Sequence, residues 1–302
     1  MATAEAADAI AAIPRPEPIG AARSWVAIVI GIAASAGWVP EAQKLAERLP
    51  NTDPGPSTAL FDLLVFGPLI ALAVVLGLVT RRAVLRVGER PLLWTLAGLG
   101  CGTTAILVAI GCAWLSGGLR PALQPVPTVP GLVLLGVVLT VLQAGAEEVL
   151  FRGWLQNALI ERIGMPAGVL AGAVIFAAFH AISATGDPIS LVNLVLGGIW
   201  FGLLAVRSGG ILAPLAAHFA YNVIEDSGFG LVPNPGTGPL GAWNDLDLVG
   251  QPLWGSTPEG LNASLGLTAA MLAMILPLLA TPPEPARRRA VARGPLPDHR
   301  LI

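Results

Sequence analysis

Charge is scarce in this chain. Only 12% of its 302 residues are Asp, Glu, Lys or Arg, against roughly a quarter in an ordinary soluble domain. That excludes a conventional solvated surface, and a net charge of -2 gives no footing for nucleic acid, which needs a basic field. Cysteine is nearly absent too: Cys101 and Cys112 both fall in one apolar run, which excludes a disulfide framework and reads as packing. Histidine occurs three times, at 180, 218 and 299. What fills the chain instead is apolar: 54% hydrophobic residues and a mean hydropathy of +0.73 mark an integral membrane protein.

A transmembrane helix needs about 20 mostly apolar residues. By that ruler the chain predicts an all-α, polytopic transmembrane helical bundle of about eight spans, at 24–39, 58–79, 92–116, 131–152, 167–185, 190–206, 211–227 and 259–280. Residues 1–23 read as a disordered cytoplasmic tail, 24–130 as N-terminal spans, 131–227 as a helical core, 228–258 as an external loop, 259–280 as the last span and 281–302 as a basic cytoplasmic tail. The loop is rich in Gly, Pro, Trp and Asp and is expected to be ordered by turns and by interfacial Trp243 and Trp254. With the N-terminus inside, 14 of the 17 basic residues are cytoplasmic, and only Lys44, Arg48 and Arg120 lie outside. The positive-inside rule selects that topology, both termini facing the cytoplasm of a bacterial-type plasma membrane.

Ionisable side chains within a span are costly, and they face a protein interior or a wet cavity. Here they are Glu147, Glu148 and Arg152 in the fourth span, His180 in the fifth and His218 in the seventh, with Asn222 beside the last. Residues 131 to about 160 can form one helix that "RIGMP" reverses. Glu147 and His180 then stand 13 residues from either end of the turn, roughly 20 Å along each helix and at a similar depth. Glu148 and Arg152 are four apart and share a face, so they can pair, whereas Glu147 is rotated by about 100° from Glu148. His218 and Asn222 are likewise four apart, as are Phe176 and His180. A carboxylate beside an imidazole in an apolar cavity can hold and deprotonate water, and a second histidine with an amide donor can bind the oxyanion formed when that water attacks a carbonyl. These residues match a peptide-hydrolysing site.

"EEVLFR" (147–152), "FAAFH" (176–180) and "HFAYN" (218–222), each on a successive suitable span, resemble the CPBP family, the CAAX-prenyl-protease and bacteriocin-processing intramembrane endopeptidases. The family pattern is Glu-Glu-x-x-x-Arg, then Phe-x-x-x-His, then His-x-x-x-Asn or Asp. By that resemblance Glu147 and His180 activate the water, His218 and Asn222 stabilise the oxyanion, and Glu148, Arg152 and Phe176 support the site. It also implies membrane lipid and a membrane-associated peptide or protein as partners, either a prenylated C-a-a-X-like end or a leader peptide. Relatives that confer self-immunity leave a non-catalytic immunity or scaffold protein as the alternative. The family is often labelled a metalloprotease, and Glu147, His180 and His218 offer a zinc ligand set. The chain lacks H-E-x-x-H, and a glutamate-activated water without metal is the favoured reading.

Each residue also has a plainer reading. His180 alone can be a core histidine bonded between helices, and the two histidines together can ligate haem, though that leaves the carboxylates unexplained. Glu148 with Arg152 can be a structural pair, Asp62 an interfacial residue and "RRR" (287–289) a topology anchor. Trp154 and Trp200 line a groove or sit at an interface. A transporter is disfavoured because no inverted repeat or matched pair of broken helices is visible.

Overall fold

The computed structural model describes residues 20–48, 53–88, 90–181 and 186–280. Most of the proposed tails, with Arg15, Arg287 to Arg289 and His299, and the expected end of the fifth span at 182–185 lie outside the described residues. Eight helices follow in order: α1 (Ala21–Glu47), α2 (Pro54–Thr80), α3 (Pro91–Leu115), α4 (Pro130–Ile163), α5 (Met165–Ala181), α6 (Pro188–Ser208), α7 (Leu212–Val223, continuing through a wide turn at Ile224–Gly228) and α8 (Leu265–Ala280). The protein is all-α and membrane-spanning in character. By length and composition α1, α2, α3, α4 and α6 can each cross a bilayer. The other three are shorter, α5 with 17 residues, α8 with 16 and α7 with 12, so five spans rather than about eight meet that measure.

The helix starts follow from local chemistry. Pro stands in the first turn of α2, α3, α4 and α6, where its missing N–H would have had no intrahelical partner. Asp53 caps α2 through Gly55 N–H at 3.3 Å. Asp187 caps α6 through the N–H groups of Ile189 and Ser190 at 2.8 and 3.0 Å. Gly209, at φ 75°, ends α6 in the left-handed conformation that glycine adopts without strain. α1 runs on through Pro40 to Glu47, eight residues past the expected end, because the segment "EAQKLAE" after the proline has good helix formers.

α4 departs from regular geometry where the charged motif falls. Residues Val149–Leu155 form a π-helical stretch in which every residue is buried. The Asn157 side chain donates to the carbonyls of Arg152 and Gly153 at 3.0 and 2.9 Å, satisfying acceptors that the widened turn displaces.

Two bare helix faces position α7. A Cβ on Gly98 of α3 would collide with the carbonyl of Ala213, and one on Gly102 with the carbonyl of Ala217. The Gly-x-x-x-Gly pair therefore lets α3 and α7 approach backbone to backbone, as small residues do between membrane helices. Gly198 of α6 does the same against Ala173 of α5. The connection after α7 is more structured than turns alone: Leu246–Leu248 pairs antiparallel with Leu119–Pro121, and Leu231, Ala242 and Leu248 are buried. Its Asn234 carboxamide donates to the carbonyls of Leu248 and Thr257.

Candidate active site

The π-helical stretch begins at the acid pair and carries Arg152 into the bundle. Glu148 is fully buried, and its Oε1 accepts from Arg152 Nη1 at 2.9 Å. The same oxygen lies 2.9 Å from His218 Nδ1. A carboxylate held by a guanidinium only accepts, so His218 Nδ1 carries the donated proton. The Arg152 guanidinium rests 4.4 Å from the centroid of Phe176 and 5.3 Å from that of Phe201, aromatic faces that favour a cation removed from water. Its Nη2 also reaches the Gly198 carbonyl, at 3.5 Å. Phe201 stacks on the His218 ring with centroids 4.9 Å apart.

Glu147 turns the other way, into the gap between two imidazoles. Its Oε2 lies 3.7 Å from His180 Nε2 and 4.0 Å from His218 Nε2, and it has no hydrogen-bond partner among the described residues. His180 Nδ1 stands 3.0 Å from the Phe176 carbonyl. A carbonyl can only accept, so that nitrogen donates and the neutral ring offers its Nε2 lone pair to the gap. The His180 side chain is 35% exposed and that of His218 only 7%, which puts His180 nearer the opening. Both border a cavity of about 190 Å³, with Phe176, Gln143 and Asn222 also in its wall. All seven side chains read from the sequence as site or support residues thus gather on α4, α5 and α7 around one locus.

Glu148 pairs with Arg152 as the four-residue spacing implies, and it also fixes the tautomer of His218. Trp154 and Trp200 are not groove or interface residues: both are essentially fully buried, Trp154 against Gly31 of α1 with its indole N–H on Thr80 Oγ1 at 3.3 Å. Sequence reading passed over Phe201, Glu225 and Asp226. The phenylalanine gives no signal in so apolar a helix. The acid pair, directly after "HFAYN" and inside the expected seventh span, was open to the same test that found Glu147 and Glu148.

Zinc bonds of about 2.0–2.2 Å place the ligand atoms of a tetrahedral site within roughly 3.3–3.6 Å of one another. The Glu147 oxygen stands 3.7 and 4.0 Å from the two imidazole nitrogens. Among the described residues no group of three or more His, Cys, Asp and Glu side chains is placed to hold a metal ion. As placed, these separations are a few tenths of an ångström wider than a tetrahedral zinc set.

Fold and site together define a polytopic helical membrane protein with an acid–imidazole cluster enclosed by its helices. Residues 129–224 match the family model described as type II CAAX prenyl endopeptidase, Rce1-like. That stretch is about a third of the chain and contains all three motifs, so the CPBP resemblance is shown over it. At family level it supports a CAAX-type intramembrane endopeptidase. No curated protein and no solved structure matches the chain.

Proposed function

We propose that the protein is an intramembrane endopeptidase that cleaves a peptide bond of a membrane-associated substrate with a water activated by Glu147. One observation carries this reading: the unpartnered Glu147 oxygen, 3.7 and 4.0 Å from two imidazole nitrogens. Those separations exceed a direct hydrogen bond and suit one shared water.

That water donates one hydrogen to Glu147 and the other to His180 Nε2. Its oxygen attacks the scissile carbonyl carbon as Glu147 takes the proton, and the carbonyl electron pair moves to oxygen. His218, whose Nδ1–H rests on the Glu148 carboxylate, offers Nε2–H to the oxyanion when doubly protonated, with the Asn222 carboxamide as a second donor. Collapse of the tetrahedral intermediate breaks the C–N bond, and Glu147 returns its proton to the leaving amine. Glu148 and Arg152 orient His218 and touch no reacting atom. Both termini face the cytoplasm, a reading supported by the arginine bias of the connecting loops.

The test compares membrane peptides from cells with the wild-type protein and with Glu147→Gln, alongside turnover of both purified proteins in detergent. Uncut peptides accumulating only with Glu147→Gln are expected. Normal turnover by that variant would remove Glu147 as the base, and a cellular role that survives the loss of both Glu147 and His218 would favour a non-catalytic immunity or scaffold protein.

A further inference from the structure

The catalytic-site cavity continues away from the imidazoles. On its far wall stand Glu225 and Asp226, where α7 widens into its final turn, along with Asn193, Tyr221 and Asn262. A second cavity, of about 170 Å³, shares Gln143, Asp226 and Val232 with the first. A third, of about 860 Å³, shares Thr58, Asp62 and Pro239 with the second and reaches Glu47 at the end of α1. Glu47, Asp62, Asp226 and Glu225 thus stand in the walls of three neighbouring spaces between the end of α1 and the cluster. Among the described residues, no Lys or Arg lines any of the three spaces.

Glu225 makes this more than a group of acids. The residue is only 3% exposed yet lines the cavity. Its Oε1 has no hydrogen-bond partner among the described residues. Tyr221 donates to Asn262 Oδ1 at 3.3 Å, which fixes the wall behind the acid. Asp226 is half-buried beside it and interacts electrostatically with His218. Two adjacent carboxyl groups in so dry a place repel each other when ionised, and a cation arriving between them relieves both that repulsion and the cost of burying charge. A free carboxylate arriving there meets the opposite effect.

We propose that Glu225 and Asp226 form a specificity subsite for a Lys or Arg side chain of the substrate peptide, approached through the acid-walled spaces past Asp62. This rests on the endopeptidase reading and narrows it. The preferred substrate presents a basic residue next to the scissile bond, and a C-a-a-X-like end, whose terminal carboxylate would face these walls, is disfavoured.

The experiment measures binding rather than cleavage. Full-length protein carrying Glu147→Gln, in phosphatidylcholine nanodiscs, is titrated against two fluorescein-labelled decapeptides that are identical except for a central Lys-Lys or Glu-Glu pair, with anisotropy as the readout. The Lys-Lys peptide is expected to bind at least roughly tenfold more tightly, an advantage that falls below about twofold when Glu225→Gln and Asp226→Asn are added. Asp226→Lys is expected to invert the preference. Equal binding of the two peptides, or a preference that survives the double substitution, overturns the proposal. Should the double variant not fold, Asp226→Asn alone, at a half-buried position, carries the same comparison. Hydrolysis plays no part in this readout, whereas the endopeptidase reading fails on a different result, the absence of any cut product that depends on Glu147.

Discussion

Two acid pairs face the same cavity under opposite conditions. Around Glu147 and Glu148 the surroundings supply positive or proton-bearing groups at every turn: Arg152, His180 and His218, with Phe176 and Phe201 shielding them. Around Glu225 and Asp226 no Lys or Arg lines the wall, and one Glu225 oxygen has no partner among the described residues. In the first pair Glu148 Oε1 is held by Arg152 and His218, while Glu147 Oε2 faces two imidazoles without a direct bond. On the proposal above, the second pair is completed by a cation that enters. The two pairs differ in the cations that face them, not in whether every oxygen is bonded.

That contrast can be broken most severely at its catalytic end. Glu147→Gln is expected to lower turnover by at least about a thousandfold with little change in thermal unfolding, since the amide fills the same space but accepts no proton; a product-release assay and a thermal melt on purified protein check the two. Arg152→Ala leaves the buried Glu148 with His218 in place of its guanidinium, and removing one partner of a buried ion pair costs about 3–5 kcal/mol. Its melting temperature should fall clearly, and the Lys variant should restore it only in part because a compact ammonium cannot span Glu148 and the Gly198 carbonyl as a planar fork does. Gly102→Leu should lower both stability and activity to an intermediate degree by prising α3 from α7 and moving His218, which crosslinking between the two helices would register. At the recognition end, Asp62→Asn, outside both acid pairs, should slow peptide association by no more than about threefold. The smallest effect is expected from metal removal: dialysis against a chelator should leave turnover unchanged, and loss of activity restored by zinc would overturn the metal-free route.

How far the sequence alone reaches differs between these two ends. The motif residues could be placed on helices and at depths because four-residue spacings and the turn after α4 follow from helix geometry, and the Glu147 to His180 pairing needs no more than that. The contact between Glu148 and His218 was out of reach. It depends on how α7 is rotated, and that rotation is set by Gly98 and Gly102 on α3, a helix that carries no polar signal of its own. The structured connection at 229–264 was equally hidden, since the pairing of 246–248 with 119–121 joins segments far apart in the chain and short of any strand pattern. Glu225 and Asp226 are legible as ionisable residues in an apolar span, but no spacing ties them to the three motifs.

The π-helical stretch in α4 has one more bearing on the protein. It accommodates one more residue in the turn than ordinary helical winding takes, and the extra length sets the angle between the acid pair and everything downstream. Deleting a residue from Val149 to Phe151 would let the widened turn close to regular winding with its flanks still in register, and would bring Glu148 and Arg152 from four residues apart to three. The ion pair would then have to form at a new spacing although no polar group had been removed. Spacing here is as much a constraint as composition.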